Sequence, residues 1–261
     1  MTKAIFFDID GTLVSFQTHK IPQSALDAIH RVRQQGIKIF IATGRPLPFI
    51  NNLEGLEYDG IISVNGAHCV TADGEVISSH PVSKADLQRI VENHYHHPIG
   101  ITFAGNDFAF ACDIDANHET MQEVFSLLNL ELPEPTPIEE VLGREVMQVI
   151  AFFGQEDEER LMREVFQECD SNRWHPAFTD CIAKGTSKAS GIDEVCHYYG
   201  IPLSETMAFG DGGNDLQMLA HVAIGVAMGN ASDEVKAVAD RVTTSVDEDG
   251  IALVLNELLD Q

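Results

Sequence analysis

Apolar positions along the chain fall into two rhythms. Residues 4–7, 37–42 and 60–64 are short apolar runs, each followed at once by polar or glycine residues. Runs of that length bounded by turn signals read as buried strands. Between the first two lies segment 22–36, with Pro22 near its start, Gly36 past its end, and Leu26, Ile29 and Val32 on one face. That punctuation predicts a helix. Strand, helix and strand in alternation predict a parallel sheet with crossover helices.

From residue 67 the rhythm changes. Segments 67–72 and 75–79 flank Asp73-Gly74, a hairpin signal. Ser83 is placed to cap a helix running to about residue 97. Segments 99–104 and 108–112 flank a tight turn at Gly105-Asn106-Asp107. Helices are expected near 117–129 and 157–169, separated by a link carrying Pro133, Pro135 and Pro137 and by a strand over 146–153. Adjacent strands with separate helices point to an antiparallel α+β unit. After Gly185 the first rhythm returns, with a helix over 187–199 before Gly200, apolar runs over 207–210 and 222–227, and a last helix over 251–259. The expected fold is therefore α/β: a Rossmann-like parallel-sheet core with helices on both faces, formed by residues 1–81 and 185–261. An α+β domain inserted over 82–184 interrupts it.

A length of 261 residues suits one large or two modest domains. The hydrophobic share of 44% and charged share of 22% are those of a globular chain. Charge changes the picture more. Sixteen Lys and Arg against 41 Asp and Glu give a formal charge of −25. Such a field repels nucleic acid and anionic membranes, so neither is expected as a partner. Cys69, Cys112, Cys169, Cys181 and Cys196 are odd in number, scattered, and include no Cys-x-x-Cys pair. They suit reduced thiols and a cytoplasmic location. No signal peptide or long apolar span is read.

In open α/β sheets ligands bind at the carboxyl ends of the strands. The residues at those expected ends are Asp8 and Asp10, Thr43 and Gly44, Asn65, and Asp211 to Asp215. Two like charges about 4 Å apart cost about 4 kcal/mol at an effective dielectric constant near 20. Four carboxylates on one rim therefore require a cation or raised pKa values. An all-oxygen set suits Mg²⁺ better than zinc or iron. Each segment alone also has a plain structural explanation: an Asp-Gly turn, a strand-to-helix connection, a helix cap. Their coincidence at successive strand ends of one sheet favours a site.

Asp8-Ile9-Asp10-Gly11-Thr12-Leu13, Ile41-Ala42-Thr43-Gly44-Arg45 and Gly210-Asp211-Gly212-Gly213-Asn214-Asp215 resemble the first, second and fourth motifs of haloacid dehalogenase superfamily phosphatases. Ser63-Val64-Asn65-Gly66-Ala67 and Met228-Gly229-Asn230-Ala231 are similar to segments of the Cof-type subgroup, whose large α+β cap (type IIB) follows the third core strand. The resemblance covers both core portions; the inserted segment matches in size and position without a motif of its own.

This resemblance implies a Mg²⁺-dependent phosphatase of small phosphorylated metabolites, sugar phosphates foremost, working through an aspartyl-phosphate. Asp8 would be the nucleophile and Asp10 the general acid and then base. Mg²⁺ would be held by Asp8, the Asp10 carbonyl and Asp211, with Asp215 or Asn214 in support directly or from behind. Thr43, Gly44 and Asn214 would bind the phosphoryl oxygens. Segment 183–188 offers Lys184 and Lys188 for the lysine, and the subgroup's Gly-x-Ser-Lys pattern selects Lys188. Val246-Asp247 departs from the pattern, where relatives often carry Asn. The inserted domain would choose the substrate, and the assembly would be a monomer or small homo-oligomer. Alternatives are a phosphomutase, a phosphatase of nucleotides, flavin mononucleotide or pyridoxal phosphate, and a receiver-like phosphoacceptor. His94, His96 and His97 read as a solvated helix end, Glu156 to Glu159 as a helix start, and Trp174 as packing or a sugar-stacking ring.

Overall fold

The computed structural model describes residues 1–260, the side chains of Ala116 and Trp174 excepted, so the reading of the Trp174 ring lies outside the described residues. The chain forms two compact units. Met1–Arg45, Ile50–Ser79 and the residues from Ser187 onward make the first; Pro46–Phe49 and His80–Thr186 make the second.

In chain order the first unit begins with β1 (Ala4–Phe7), α1 (Gln23–Gln34), β2 (Lys38–Ala42), β3 (Gly60–Ser63), β4 (His68–Thr71) and β5 (Val76–Ser79). The second contains α2 (Lys84–His94), β6 (Gly100–Ala104), β7 (Ala109–Cys112), α3 (Ile114–Leu127), β8 (Gln148–Phe152), α4 (Gln155–Glu164), β9 (Cys169–His175) and β10 (Phe178–Ala183). The first then resumes with α5 (Lys188–Tyr199), β11 (Thr206–Gly210), α6 (Leu216–His221), β12 (Ile224–Ala227), α7 (Asp233–Val238), β13 (Arg241–Val242) and α8 (Gly250–Leu259).

The first unit's sheet runs β13-β12-β11-β1-β2-β3-β4-β5. Strands β13 to β3 are parallel, and the β4–β5 hairpin adds two antiparallel strands at one edge. β1 is central and its four side chains are fully buried. Phe6 stacks on Phe40 at 5.0 Å and Phe7 on Phe209 at 4.9 Å, tying β1 to both neighbours. On one face Ala4, Phe6 and Phe40 pack with Ile192 and Val195 of α5 and Met218 and Leu219 of α6. Alternation sends Ile5 and Phe7 to the other face. There α1 and α8 pack together, α1 burying Ala25, Ala28, Ile29 and Val32. This is the expected α/β core.

Helix α5 has firm ends. The Ser187 hydroxyl accepts from the Ser190 amide, and the Ser190 hydroxyl accepts from the Ser187 amide. Gly200 closes the helix in the left-handed region at φ 65°. Lys188 is thereby fixed in the first turn.

The second unit's sheet runs β7-β6-β8-β10-β9 and is antiparallel throughout. Ile101, Phe103, Val149 and Cys181 pack on α2 and α4; Ile150, Phe152 and Phe178 pack on α3. Phe49, outside the expected insertion, joins this core edge-on to Phe125. The helix expected over 157–169 stops at Glu164, because the Val165 and Phe166 amides both donate to the Leu161 carbonyl. The following residues form β9 and β10, a strand pair the pattern did not show. Helix α2 stops at His94 rather than 97, where the Asn93 carbonyl accepts from the His96 and His97 amides. His94 pairs with Asp113 instead of standing free in solvent. All five cysteines are buried and unpaired. Among the described residues no helix is long and apolar enough to cross a membrane.

Candidate active site

Asp8 leaves the central strand at its carboxyl end, almost fully buried. Lys188 Nζ donates to Asp8 Oδ1 and to Asp215 Oδ1, both at 2.6 Å, and both Lys188 and Asp215 are fully buried. The other Asp215 oxygen accepts from the Asp211 and Gly212 amides at 2.9 Å, so Asp215 also shapes its own loop. Asp211 is held at both oxygens, by the Thr12 hydroxyl at 2.7 Å and the Asn230 amide at 3.0 Å. Asn230 further donates to the Gly11 carbonyl and accepts from the Val246 amide. Gly11 stands at φ 85°, and a Cβ there would fall inside the Asp211 carboxylate. Only glycine allows this approach.

Ligand oxygens of Asp8, Asp211 and Asp215 lie within 4.8 Å of one another. Burial pushes the Asp8 carboxyl well above the ordinary range; Lys188 opposes this, while Asp215, Asp211 and Asp10 add to it. Burial likewise pushes Asp211 up to about 6, against the Thr12 hydrogen bond and with the help of Asp215. Burial alone would lower the Lys188 pKa, but Asp215 and Asp8 outweigh it and hold the ammonium charged. Three carboxylates against one ammonium leave surplus negative charge on hard oxygen donors. That set fits a divalent cation such as Mg²⁺.

The fourth expected carboxylate stands apart. Arg45 grips Asp10 in a fork, Nε to Oδ2 and Nη2 to Oδ1, both at 2.7 Å. Arg45 is nearly buried and Asp10 a quarter exposed. The four acids expected on one rim thus divide, Asp8, Asp211 and Asp215 grouped and Asp10 paired with Arg45. A bidentate guanidinium satisfies Asp10 more fully than the crowded rim would.

Thr43 is buried, its hydroxyl accepting from the Arg45 amide. A Cβ built on Gly44 would stand 3.2 Å from Asn65 Nδ2 and 3.4 Å from Asn214 Nδ2. Asn214 Nδ2 donates to Asn65 Oδ1 at 3.0 Å. Thr43, Gly44, Asn65 and Asn214 thus adjoin one another. Lys184 is exposed, belongs to the second unit, and donates to the Gln167 carbonyl. Sequence reasoning gave no role to Thr12, Arg45 or Asn230. All three sit inside motifs it quoted, but nothing local shows that Arg45 turns to Asp10, or Thr12 and Asn230 to Asp211.

Fold and rim define an acid-rich α/β enzyme with its carboxylates at the ends of parallel strands. Residues 5–255 match the family described as haloacid dehalogenase-like hydrolase, and the chain belongs to it, as a phosphatase of the Cof type. The Bacillus subtilis protein YkrA is 38% identical, over 98% of each chain. The Bacillus subtilis 5-amino-6-(5-phospho-D-ribitylamino)uracil phosphatase YitU is 31% identical, over 97% of this chain and 96% of its own. The solved structure of the HAD subclass IIB sugar phosphatase BT4131 superposes with a TM-score of 0.87 at 41% identity, over 98% of this chain and 99% of that one.

Proposed function

We propose that this phosphatase hydrolyses small phosphorylated metabolites, hexose phosphates foremost, with Mg²⁺ and through an aspartyl-phosphate on Asp8. The observation that carries the proposal is the buried Lys188, which orients Asp8 and keeps an ammonium beside it. An Asp8 oxygen attacks phosphorus and the ester P–O bond breaks. Asp10 gives its proton to the departing oxygen, then takes one from the water that attacks the phosphorus of the aspartyl-phosphate. Phosphate leaves and Asp8 is restored. Arg45 orients the Asp10 carboxyl through its two hydrogen bonds. Thr43, the Gly44 amide and Lys188 bind the phosphoryl oxygens. Asp8, the Asp10 carbonyl and Asp211 would hold Mg²⁺, with Asp215 behind them. When bound, the cation supplies charge neutralisation and polarises the phosphoryl group.

Sugar phosphates lead because the BT4131 relative is named a sugar phosphatase. YitU is named for a phosphoribitylamino uracil, so that compound belongs in the test. We assign substrate choice to the second unit, since the phosphoryl group is common to every candidate. Free cysteines and a charge of −25 support a cytoplasmic enzyme without a nucleic-acid partner, as monomer or small homo-oligomer.

The test is phosphate release across hexose phosphates, nucleotides, flavin mononucleotide, pyridoxal phosphate and the ribitylamino uracil phosphate. Steady turnover, fastest on a hexose phosphate and lost with EDTA or Asp8→Asn, is expected. Isomer interconversion without phosphate release would make it a mutase, and one stoichiometric phosphorylation a phosphoacceptor.

A further inference from the structure

The chain leaves the first unit just after Arg45, gives Pro46–Phe49 to the second, and returns to the first at Ile50. Arg45 itself is fixed on the first unit's side. Its amide donates to the Thr43 hydroxyl at 3.0 Å, its carbonyl accepts from the Val64 amide at 3.2 Å, and its guanidinium forks onto Asp10. Of the residues between Arg45 and Phe49, Pro46 and Pro48 are prolines, whose rings lock φ. The Phe49 amide closes the segment into a single turn by donating to the Pro46 carbonyl at 2.9 Å. The link from Arg45 to Phe49 is therefore short and stiff.

At the far end of that link Phe49 is buried in the second unit's core. It stands edge-on to Phe125 with ring centroids 5.6 Å apart, in the cluster that holds Val124, Phe152 and Phe178. Close packing holds a buried aromatic ring in one place. At the near end both Asp10 oxygens meet Arg45 at 2.7 Å. A shift of about 1 Å at a reacting group costs about 100-fold in rate. The place of the Phe49 ring thus bears on the place of the Asp10 carboxyl.

We propose that Phe49 is a positioning residue for proton transfer, acting through the Pro46–Phe49 turn and Arg45 to fix the Asp10 carboxyl. This rests on the reading of Asp10 as general acid above. The competing explanation is that Phe49 only fills the second unit's core. The two differ in which substrates suffer. An alkyl phosphate needs a proton on its departing oxygen, whereas para-nitrophenolate leaves without one near neutral pH. A misplaced acid therefore slows the alkyl ester far more than the aryl ester. A loosened fold slows both alike.

The measurements are kcat/KM on a hexose phosphate esterified at its primary alcohol and on para-nitrophenyl phosphate, with the melting temperature alongside. For Phe49→Ala, kcat/KM should fall about 10- to 100-fold on the hexose phosphate and less than about 3-fold on the aryl ester. Phe49→Leu, which refills the core, should recover most of that loss. Val124→Ala opens the same core elsewhere and should lower the melting temperature without changing the ratio between the esters. Pro46→Gly with Pro48→Gly leaves Phe49 in its core but softens the link, so it should reproduce the ester split even where Phe49→Ala folds poorly. Arg45→Ala should show the split too, with nothing further on adding Phe49→Ala. If Phe49→Ala and the paired glycine variant slow both esters equally, or neither, Phe49 has no part in proton transfer. Asp10→Asn separates that failure from failure of the reading beneath it. A split in Asp10→Asn alone overturns only this inference; no split there, or a wild type that releases no phosphate, overturns both.

Discussion

Replacing Lys188 by methionine removes one charge from the most buried part of the site and nearly nothing from its volume. Lys188 meets Asp8 and Asp215 at 2.6 Å each, and all three side chains are at most a tenth exposed. At an effective dielectric constant near 20, each contact is worth about 6 kcal/mol before the cost of removing the charges from water. Breaking a buried pair by deleting one partner typically costs about 3–5 kcal/mol, because the other charge is left uncompensated. In a chain of this size that is a melting temperature lower by roughly 6–20 °C. The sign of the pH dependence follows from the carboxylates. Asp8 is already raised and Asp211 pushed up to about 6, and both rise further without the ammonium. An acid whose folded pKa lies above its unfolded value loses stability as pH climbs through that interval and regains it on protonation. Lys188→Met should therefore be most destabilised near pH 7.5, with the gap to wild type narrowing toward pH 5. Thermal denaturation followed by circular dichroism in EDTA reads both, and added Mg²⁺ should restore part of the loss at the higher pH. Equal melting temperatures at pH 7.5, or a gap that widens on acidification, would refute the account of Lys188 as the group holding these carboxylates together.

A Cβ at Gly66 would run into the Ser187 backbone carbonyl, and Gly66 stands at φ 95°. Gly66→Ala should push the start of α5 and Lys188 off Asp8, costing at least about 2 kcal/mol and most of the turnover; urea denaturation with parallel kcat measurement checks both. Asp59 accepts from Arg33, Lys38 and the Ile39 amide. Burial works to raise its pKa, but those three partners outweigh it and hold it below the ordinary value. A depressed carboxyl stabilises above its unfolded pKa and loses that contribution as pH falls through the folded one. Asp59→Asn should thus cost about 1–3 kcal/mol near pH 7 and little near pH 3, and a gap constant with pH in urea titrations would count against the ion-pair explanation.

What the sequence revealed and what it hid divide along physical lines. β1, β2 and β3 are buried on both faces, so apart from Lys38 at the start of β2 and Ser63 at the end of β3 they appear as apolar runs leading to the site residues. β9 reads Cys-Asp-Ser-Asn-Arg-Trp-His, an edge strand of mixed polarity with no period-two signal. Its place is secured at a distance instead, by Arg173 on Glu158 and on the Phe153 and Phe178 carbonyls. Leu161 and Val165, four apart, prolonged the apparent helix past its real end at Glu164. Helix α7 was missed although Ser232 caps it and Asp233 and Glu234 open it, because only Val235 is buried among its six residues. At the site, strand-end positions gave Asp8, Thr43, Asn65 and Asp211. The partners Arg45 and Asn230 depend on side chains crossing between strand ends, which no local pattern encodes.

The charge of the whole chain and the chemistry of its site oppose one another, and the site shows how they are reconciled. A protein of charge −25 disfavours a dianionic phosphate at long range, but that field is screened beyond about 8 Å at physiological salt. Within the site, buried charges are screened far less. Lys188 and Arg45 are the basic side chains placed there, and both are already matched: Lys188 by Asp8 and Asp215, Arg45 by Asp10. Asp8, Asp10, Asp211 and Asp215 together exceed these two cations by two charges, which is the charge of one divalent ion. Neither Lys188 nor Arg45 thus offsets that surplus. In the proposed reaction the phosphoryl oxygens would meet the Thr43 hydroxyl, the Gly44 amide and Lys188, so Lys188 would share its charge among Asp8, Asp215 and the substrate. On the proposed reading, a rim with this surplus would admit a phosphate dianion only together with a cation that balances it.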